Sequence, residues 1–179
     1  GPGGAGKTRL SLQVASTLLP EFADGIFFVP IAEIREPEFV IAAVAQALGV
    51  KESERTLLDH LKAHLAPRQV LLVLDNFEQV LDAAPPIAEL LIASPGLKVL
   101  ATSRAALRVY GEHEFPVPPL AIPDLNQLTL VSADPGAEGT ADLTRYTAIS
   151  LFAERAQAVK PNFTLNRDNA ITVAQICAK

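Results

Sequence analysis

The first eight residues of the chain form a glycine-rich loop, and this loop constrains the fold more than any other feature. They read GPGGAGKT and match the pattern G-x-x-x-x-G-K-[ST]. A loop of this kind follows a buried strand and leads into a helix. A helix is indicated here because Leu10, Val14 and Leu18 recur every four residues before Pro20 interrupts the pattern. The sequence therefore predicts a strand-to-helix turn of an α/β protein at this end of the chain.

The residue types of this loop suit phosphate binding. Glycines adopt backbone conformations that other residues avoid, so several N–H groups can point into one concavity beside the positive end of the following helix. We expect Lys7 to reach the β- and γ-phosphates of a nucleotide and Thr8 to bind Mg²⁺. The predicted nucleotide-binding residues are Gly1, Gly3, Gly4, Ala5, Gly6, Lys7 and Thr8. A flexible glycine-rich linker is the alternative, and the helical pattern that follows disfavours it.

Beyond the loop, strand patterns alternate with helix patterns. Short apolar runs predict buried strands over residues 25–30, 70–74 and 97–102, with a weaker strand over 114–117. Helices are predicted over residues 7–19, 37–49, 56–67 and 86–93. This alternation predicts the P-loop NTPase fold, a three-layer α/β/α arrangement around a parallel sheet.

Composition and spacing divide the chain into three parts. Residues 1–120 form the predicted nucleotide-binding α/β core. Residues 121–142 are rich in Pro, Asp, Gly, Ala and Thr, and are predicted to be a linker or a surface loop. Helical spacing returns within residues 143–179, where Asn166 is placed to cap a final helix. This last part is predicted to be the incomplete beginning of a helical subdomain.

The strand that normally precedes a phosphate-binding loop is absent from this sequence, and the chain contains no Met. We therefore expect the chain to be a piece of a larger protein. Two neighbouring strands would then lose their central hydrogen-bonding partner. The 179-residue polypeptide by itself is accordingly expected to be marginally stable, to aggregate easily and to bind ATP poorly.

The aliphatic run over residues 70–74 ends in an acid, Asp75, at the edge of the sheet where ligands bind. We predict that Asp75 is the Walker B acid, which holds Mg²⁺ directly or through water, although it could instead cap the next helix. Asn76 stands where many P-loop ATPases carry a second acid. Because an amide accepts no proton, hydrolysis is expected to be slow or to need a partner. Glu78 is the nearest other carboxylate, and either assists catalysis or is a solvated helix residue.

A second polar segment, Thr102-Ser103-Arg104, ends the predicted strand over residues 97–102. It is placed to sense the γ-phosphate, because Arg104 can make charge-assisted, bidentate contacts with phosphate oxygens. A surface arginine is the alternative for Arg104, and Arg108 is either functional or structural. The predicted catalytic residues are therefore Asp75, Arg104 and Glu78, and the predicted metal ligands are Thr8 and Asp75.

Charge, cysteine content and hydropathy disfavour several other classes of protein. A net charge of −5 at pH 7 gives no footprint for nucleic acid or for an anionic membrane, and no apolar run is long enough to span one. The single cysteine, Cys177, favours the cytoplasm, and its apolar neighbours indicate a buried, unreactive thiol. His60 and His64 have the spacing of helical zinc ligands, but no third ligand is evident, and His113 is expected to be solvated. The guanine-reading motif Asn-Lys-x-Asp is absent, so adenine is favoured.

Four segments together resemble the NB-ARC-type ATPase module of STAND proteins, which are multidomain signalling ATPases. They are GPGGAGKTRLSLQVA, LLVLDNFEQV, LKVLATSRAALRVYGEHEFPVPPL and LFAERA. The modules of bacterial transcriptional regulators and cyclase-linked regulators are the most similar. By position, the resemblance implies that Lys7 and Thr8 bind phosphate and Mg²⁺, that Asp75 is the Walker B acid and that Arg104 is a sensor. The adenine-binding residues upstream of the loop strand and the GLPL-like motif of the family are not found in this sequence.

The resemblance implies an ATP/ADP-binding switch within a larger transcriptional regulator, with ATP/ADP and Mg²⁺ as cofactors and slow hydrolysis that resets the switch. The expected partners are the nucleotide and other domains of the parent chain, while self-association on activation is left open. No direct contact of this segment with nucleic acid or membrane is expected. Two alternatives stay open, namely an ATPase whose turnover is its output and an interaction module with a vestigial nucleotide site.

Overall fold

The structure is a computed structural model that describes residues 1–51, 56–124 and 143–178. The chain divides into two compact units, Gly1–Pro118 and Pro119–Lys179. Most of the segment predicted to be a linker, residues 125–142, lies outside the described residues.

The first unit alternates helices and strands as the sequence predicts. In chain order these are α1 (Lys7–Thr17), β1 (Ile26–Pro30), α2 (Glu38–Ala47), α3 (Leu57–Leu65), β2 (Val70–Asp75), α4 (Ala84–Ala93) and β3 (Leu97–Ala101). Short 3₁₀ turns lie at Leu19–Glu21, Phe77–Gln79 and Leu81–Ala83. The helices and strands begin and end within about two residues of the predicted bounds, as is usual for sequence-based boundaries.

The three strands form a parallel sheet in the order β1-β2-β3. All six residues of the central strand β2 are buried, because helices cover both faces of the sheet. Pro30 of β1 pairs in register with Asp75 of β2, and Leu74 pairs with Ala101 of β3. The carboxyl ends of the strands therefore meet at one edge, where Asp75 lies.

Alternate residues of β2 pack against different helices. Leu72 and Leu74 belong to the main core, to which α2, α3 and α4 contribute their buried residues. Leu71 and Val73 pack on the opposite face with Ala15 of α1. This arrangement has helices on both faces of a parallel sheet, so the predicted three-layer α/β/α fold is confirmed.

One helix buries a face other than its apolar repeat, and one strand expectation is wrong. The apolar repeat of α1 does not form its buried face, because Ser11 and Ala15 are buried while Leu10 and Val14 are exposed. The weak strand predicted over residues 114–117 is also not formed, and the chain there has no regular structure. Prolines within and directly after this segment lack the N–H group that a sheet ladder requires, and Phe115 within it is exposed.

Thr56 and Asp59 at the start of α3 form one half of a capping box. Thr56 Oγ1 accepts a hydrogen bond from the N–H of Asp59 at 3.3 Å, which is the N-cap contact. In a full capping box the Asp59 carboxylate would accept from the backbone N–H of Thr56. Here it accepts from the Thr56 hydroxyl at 2.6 Å instead.

Within residues 143–178 the second unit contains two helices, α5 (Thr147–Val159) and α6 (Arg167–Cys177), preceded by a 3₁₀ turn at Leu143–Arg145. Its small core consists of Leu143, Ile149, Ala170, Val173 and Ala174. Asn166 caps α6 as predicted, in a reciprocal capping box with Asn169.

The single cysteine and the paired histidines have ordinary structural surroundings. Cys177 is half-buried, and this burial raises the pKa of its thiol, which therefore stays protonated at neutral pH. Burial, followed by the nearby charges of Arg68 and His60, lowers the pKa of His64. Within the described ranges no three His, Cys, Asp or Glu residues cluster in a way that could hold a metal ion. None of the described helices has the length and apolar character needed to cross a membrane.

Candidate phosphate and metal site

The glycine-rich loop adopts the backbone conformation that its sequence requires. Gly4 and Gly6 have φ angles of 76° and 80°, in the left-handed region that side-chain-bearing residues avoid. Gly6 directly precedes α1, and no side chain caps this helix end in the described part of the chain. The first-turn N–H groups of α1 are therefore available to an anion, next to the positive end of the helix dipole.

Lys7 folds back over this loop. Its Nζ donates hydrogen bonds to the backbone oxygens of Gly1 at 2.9 Å and Pro2 at 2.7 Å. Both acceptors are neutral carbonyls, so the positive charge of Lys7 is held at the loop and is not paired by a carboxylate of the described residues. An ammonium group in this position can exchange a carbonyl for a phosphate oxygen, which is a stronger, charge-assisted acceptor.

Asp75 connects the loop to the edge of the sheet. Its buried Oδ1 accepts hydrogen bonds from Thr8 Oγ1 at 2.7 Å and from Thr102 Oγ1 at 2.6 Å. The structure thus brings together Thr8 and Asp75, the two residues predicted to bind metal. Asp75 does not cap the 3₁₀ turn that follows β2, since no side chain of the described residues caps that turn.

The donor set at this position fits Mg²⁺. A carboxylate oxygen of Asp75 and the hydroxyl oxygen of Thr8 are hard ligands, and both belong to groups that already lie within hydrogen-bonding distance of each other. Magnesium in proteins is usually held by one or two carboxylates, with substrate phosphates and water completing its shell. Thr8 and Asp75 are sufficient for a site of that kind.

Thr102 is a residue of the site whose role sequence reasoning missed. Its hydroxyl donates to Asp75 and accepts from the backbone N–H of Asn76 at 3.0 Å. Its own N–H donates to the carbonyl of Leu74 at 2.9 Å, and its carbonyl accepts from Phe77 at 2.9 Å. Thr102 therefore holds both the side chain of the acid and the backbone that follows it. The polar triplet Thr102-Ser103-Arg104 after β3 is the sequence signal that could have indicated this role, because its first residue lies at the same sheet edge as Asp75.

Arg104 and Glu78, both predicted catalytic residues, form an ion pair. Arg104 Nε lies 3.1 Å from Glu78 Oε1. The side chain of Glu78 is only 13% exposed, so its interpretation as a solvated helix residue is wrong. Arg104 is 65% exposed and lies over the loop, because a β-carbon added to Gly3 would come within 3.1 Å of Arg104 Nη2.

The segment after Arg104 is held by Glu112, which sequence reasoning did not single out. The Glu112 carboxylate accepts the backbone N–H groups of Leu107 at 2.8 Å and Arg108 at 2.7 Å. Arg108 has a φ angle of 58°, so this turn contains a residue in the left-handed region. By accepting these two N–H groups, Glu112 offsets the energetic cost of the left-handed conformation at Arg108. Arg108 contributes to this turn through its backbone N–H.

Asn76 also lies in the left-handed region, with φ 63° and ψ 44°. Asn adopts this conformation more readily than most residues, and Gly does so without strain. We therefore expect Asn76→Ala to lower the free energy of unfolding by about 1 kcal/mol, and Asn76→Gly to change it by less. Urea denaturation of the two variants measures the difference, and a glycine variant less stable than the alanine variant would contradict it.

The chain is similar in sequence to proteins that carry the names of bacterial regulators. The chain is 39% identical over 181 residues to a Mycobacterium tuberculosis protein with the provisional name HTH-type transcriptional regulator Rv0890c. That match covers all of this chain and 18% of the relative. The chain is also 36% identical over 118 residues to the regulatory protein AfsR of Streptomyces griseus, covering 60% of this chain and 12% of AfsR. The chain therefore spans less than a fifth of the length of these two relatives.

No protein-family model matches the chain. Among solved structures, the ORC2 protein of Aeropyrum pernix, solved as ADPNP–ADP complexes, is similar with a TM-score of 0.49 and 19% identity. The superposition covers 98% of this chain and 59% of that chain. Similarity at this level carries no argument about function.

Proposed function

We propose that this chain is the ATP/ADP-binding switch module of a larger transcriptional regulator. The observation that carries the proposal is the hydrogen bond of 2.7 Å between Thr8 Oγ1 and Asp75 Oδ1. It joins the last residue of the G-x-x-x-x-G-K-[ST] loop to an acid at the carboxyl end of a buried parallel strand. Phosphates and a magnesium ion bind at such an edge in α/β proteins.

The residues of the site divide the work of binding between them. The amides at the start of α1 and the ammonium of Lys7 bind the phosphates, and the loop glycines permit the close approach of the backbone. Thr8 and Asp75 supply oxygen ligands for Mg²⁺, which when bound would offset the charge of the β- and γ-phosphate oxygens. Arg104 approaches the loop at Gly3, where it can contact a terminal phosphate.

The same residues favour slow hydrolysis. Asn76, next to the acid, accepts no proton, and its backbone conformation is one that Asn tolerates. Glu78, the other nearby carboxylate, is occupied on one oxygen by Arg104. A site that has a phosphate sensor, and whose nearest described carboxylate after Asp75 is paired with that sensor, suits a protein in which the bound nucleotide, and not its turnover, is the output.

The assignment to a regulator is supported by the names and the length of the relatives. Rv0890c and AfsR carry names of regulatory proteins, and each is more than five times as long as its matched segment. Within that setting we assign residues 1–120 to the nucleotide-binding core of an NB-ARC-type STAND module, 121–142 to a linker and 143–179 to the start of a helical subdomain. The proposed location is the cytoplasm, and any contact with DNA is assigned to other parts of the regulator.

The proposal is tested on the full-length regulator by measuring nucleotide binding and phosphate release together. We expect saturable binding of ATP and ADP that needs Mg²⁺ for ATP, with turnover of the order of 10⁻² per second or less. Sustained turnover of about 1 per second or more would favour the ATPase alternative. Absence of binding to either nucleotide would favour the interaction module.

A further inference from the structure

We propose that Glu78 is a positioning residue, which holds the guanidinium of Arg104 against the phosphate-binding loop, and does not act as the base of a hydrolytic reaction. The proposal rests on the proposed function, since it explains how the site could distinguish ATP from ADP. It assigns Glu78 a role that its sequence position alone does not indicate.

The geometry of the ion pair leaves the phosphate-binding face of Arg104 free. Glu78 Oε1 contacts Nε, the nitrogen nearest the backbone, at 3.1 Å. The outer nitrogen Nη2 is the atom that a β-carbon added to Gly3 of the loop would meet first, at 3.1 Å. A carboxylate bound at Nε thus fixes the plane of the guanidinium while its outer N–H groups face the place where phosphates would bind.

Burial makes Glu78 the rigid partner of this pair. Its side chain is 13% exposed against 65% for Arg104. Glu78 lies in the 3₁₀ turn Phe77–Gln79, and this turn is anchored by the buried side chain of Phe77 and by its N–H bond to Thr102. An exposed arginine has many rotamers, and a contact with a fixed, buried carboxylate reduces their number. Glu78 therefore limits where Arg104 can reach.

The second oxygen of Glu78 is equally informative. Oε2 is buried and has no hydrogen-bond partner among the described residues. A buried acceptor without a partner destabilises the folded state, so its presence calls for an explanation such as a functional role. The contact of the other oxygen with Arg104 supplies such a role, which supports the assignment of Glu78 as a positioning residue.

The two roles of Glu78 make different demands on its chemistry. A base must take up a proton, so the amide of Gln cannot replace it. A positioning residue needs only an acceptor for the Nε–H of Arg104, and the Gln oxygen supplies one. Glu78→Gln and Glu78→Ala therefore separate the two roles, since only the alanine variant removes the acceptor.

The test measures the ratio of ATP to ADP affinity in the full-length regulator by calorimetry. Glu78→Ala and Arg104→Ala should each lower this ratio by about tenfold, and the double variant should lower it no further. Glu78→Gln should retain most of the ratio and also the rate of phosphate release, which it would lose if Glu78 were the base. Glu89→Ala is the matched control, because Glu89 forms a comparable ion pair with Lys62 at 2.6 Å on the helices of the same unit, and it should leave the ratio unchanged.

A second readout does not depend on nucleotide. The NMR signal of Arg104 Nε–H should exchange slowly with water in the wild type and in Glu78→Gln, and faster in Glu78→Ala. Thermal melting of each variant identifies any that fail to fold. If the wild type bound neither nucleotide, the proposed function would fail, while the Nε–H signal would still decide whether Glu78 holds Arg104.

Two outcomes would overturn the proposal. If Glu78→Gln lost the affinity ratio, or the protection of Nε–H, as fully as Glu78→Ala, the negative charge and not the acceptor would be what matters. If Glu78→Ala kept both while Arg104→Ala lost the ratio, Arg104 would reach the loop without help from Glu78.

Discussion

Lys7→Ala should weaken the binding of both ATP and ADP by about 100-fold or more. Hydrogen bonds from a charged donor contribute about 1.5–3 kcal/mol each, and Lys7 is placed to give them to the β- and γ-phosphates. In the structure its ammonium already lies within hydrogen-bonding distance of the loop carbonyls of Gly1 and Pro2. Isothermal titration with MgATP and MgADP measures the loss.

The control for this variant is Lys98→Ala, which removes an exposed lysine of β3 in the same unit. Net charge changes equally in the two variants, so a general electrostatic effect would appear in both. Only Lys7→Ala should lose affinity, and its melting temperature without nucleotide should stay near that of the wild type because its present bonds are exposed. If Lys7→Ala bound MgATP and MgADP as tightly as the wild type, the loop would not be part of the nucleotide site, and the alternative of a vestigial site would be supported.

Phe77→Ala should lower the free energy of unfolding by about 3–5 kcal/mol, as expected for truncation of a fully buried aromatic residue. Phe77 has 0% exposure and belongs to the main core of the first unit. Its removal opens a cavity under the end of β2, next to Asp75. Denaturation with urea or guanidinium, followed by circular dichroism, measures the change.

Phe115→Ala is the matched control for the loss of an aromatic ring. Phe115 is 79% exposed, so its truncation should change the free energy of unfolding by less than about 0.5 kcal/mol. Phe77→Leu should fall between the two, because leucine fills part of the cavity. If Phe77→Ala and Phe115→Ala lowered the free energy of unfolding equally, the main core would not be what stabilises the first unit.

The fold class could be predicted because its signals are local. A run of five aliphatic residues over 70–74 indicates a strand buried on both faces, and β2 is that strand. Asp75 is the last residue of β2 and Thr102 directly follows β3, and the carboxyl ends of neighbouring parallel strands must lie side by side. The meeting of these residues at one edge thus follows from the alternation of strands and helices.

The contacts that complete the site could not be predicted in this way. Glu78 and Arg104 are 26 residues apart, and no local pattern pairs a particular acid with a particular arginine. Glu112 accepts hydrogen bonds from two backbone N–H groups of a turn whose conformation could not be predicted from the sequence. The buried face of α1 also does not follow from its apolar repeat, since the small residues Ser11 and Ala15 are buried and the larger Leu10 and Val14 are exposed.

The two hydroxyls that share Asp75 Oδ1 differ in what they are attached to. Thr8 belongs to the loop, whereas Thr102 directly follows β3 and is tied to Leu74 and Phe77 through its backbone. If Thr8 turns toward another partner, Asp75 keeps its bond to Thr102 and its orientation. Binding of Mg²⁺ at the proposed site would then require one side chain to rotate, with no rearrangement of the sheet edge. Under the proposed function, nucleotide exchange would then reorganise the loop, while the strands keep their positions.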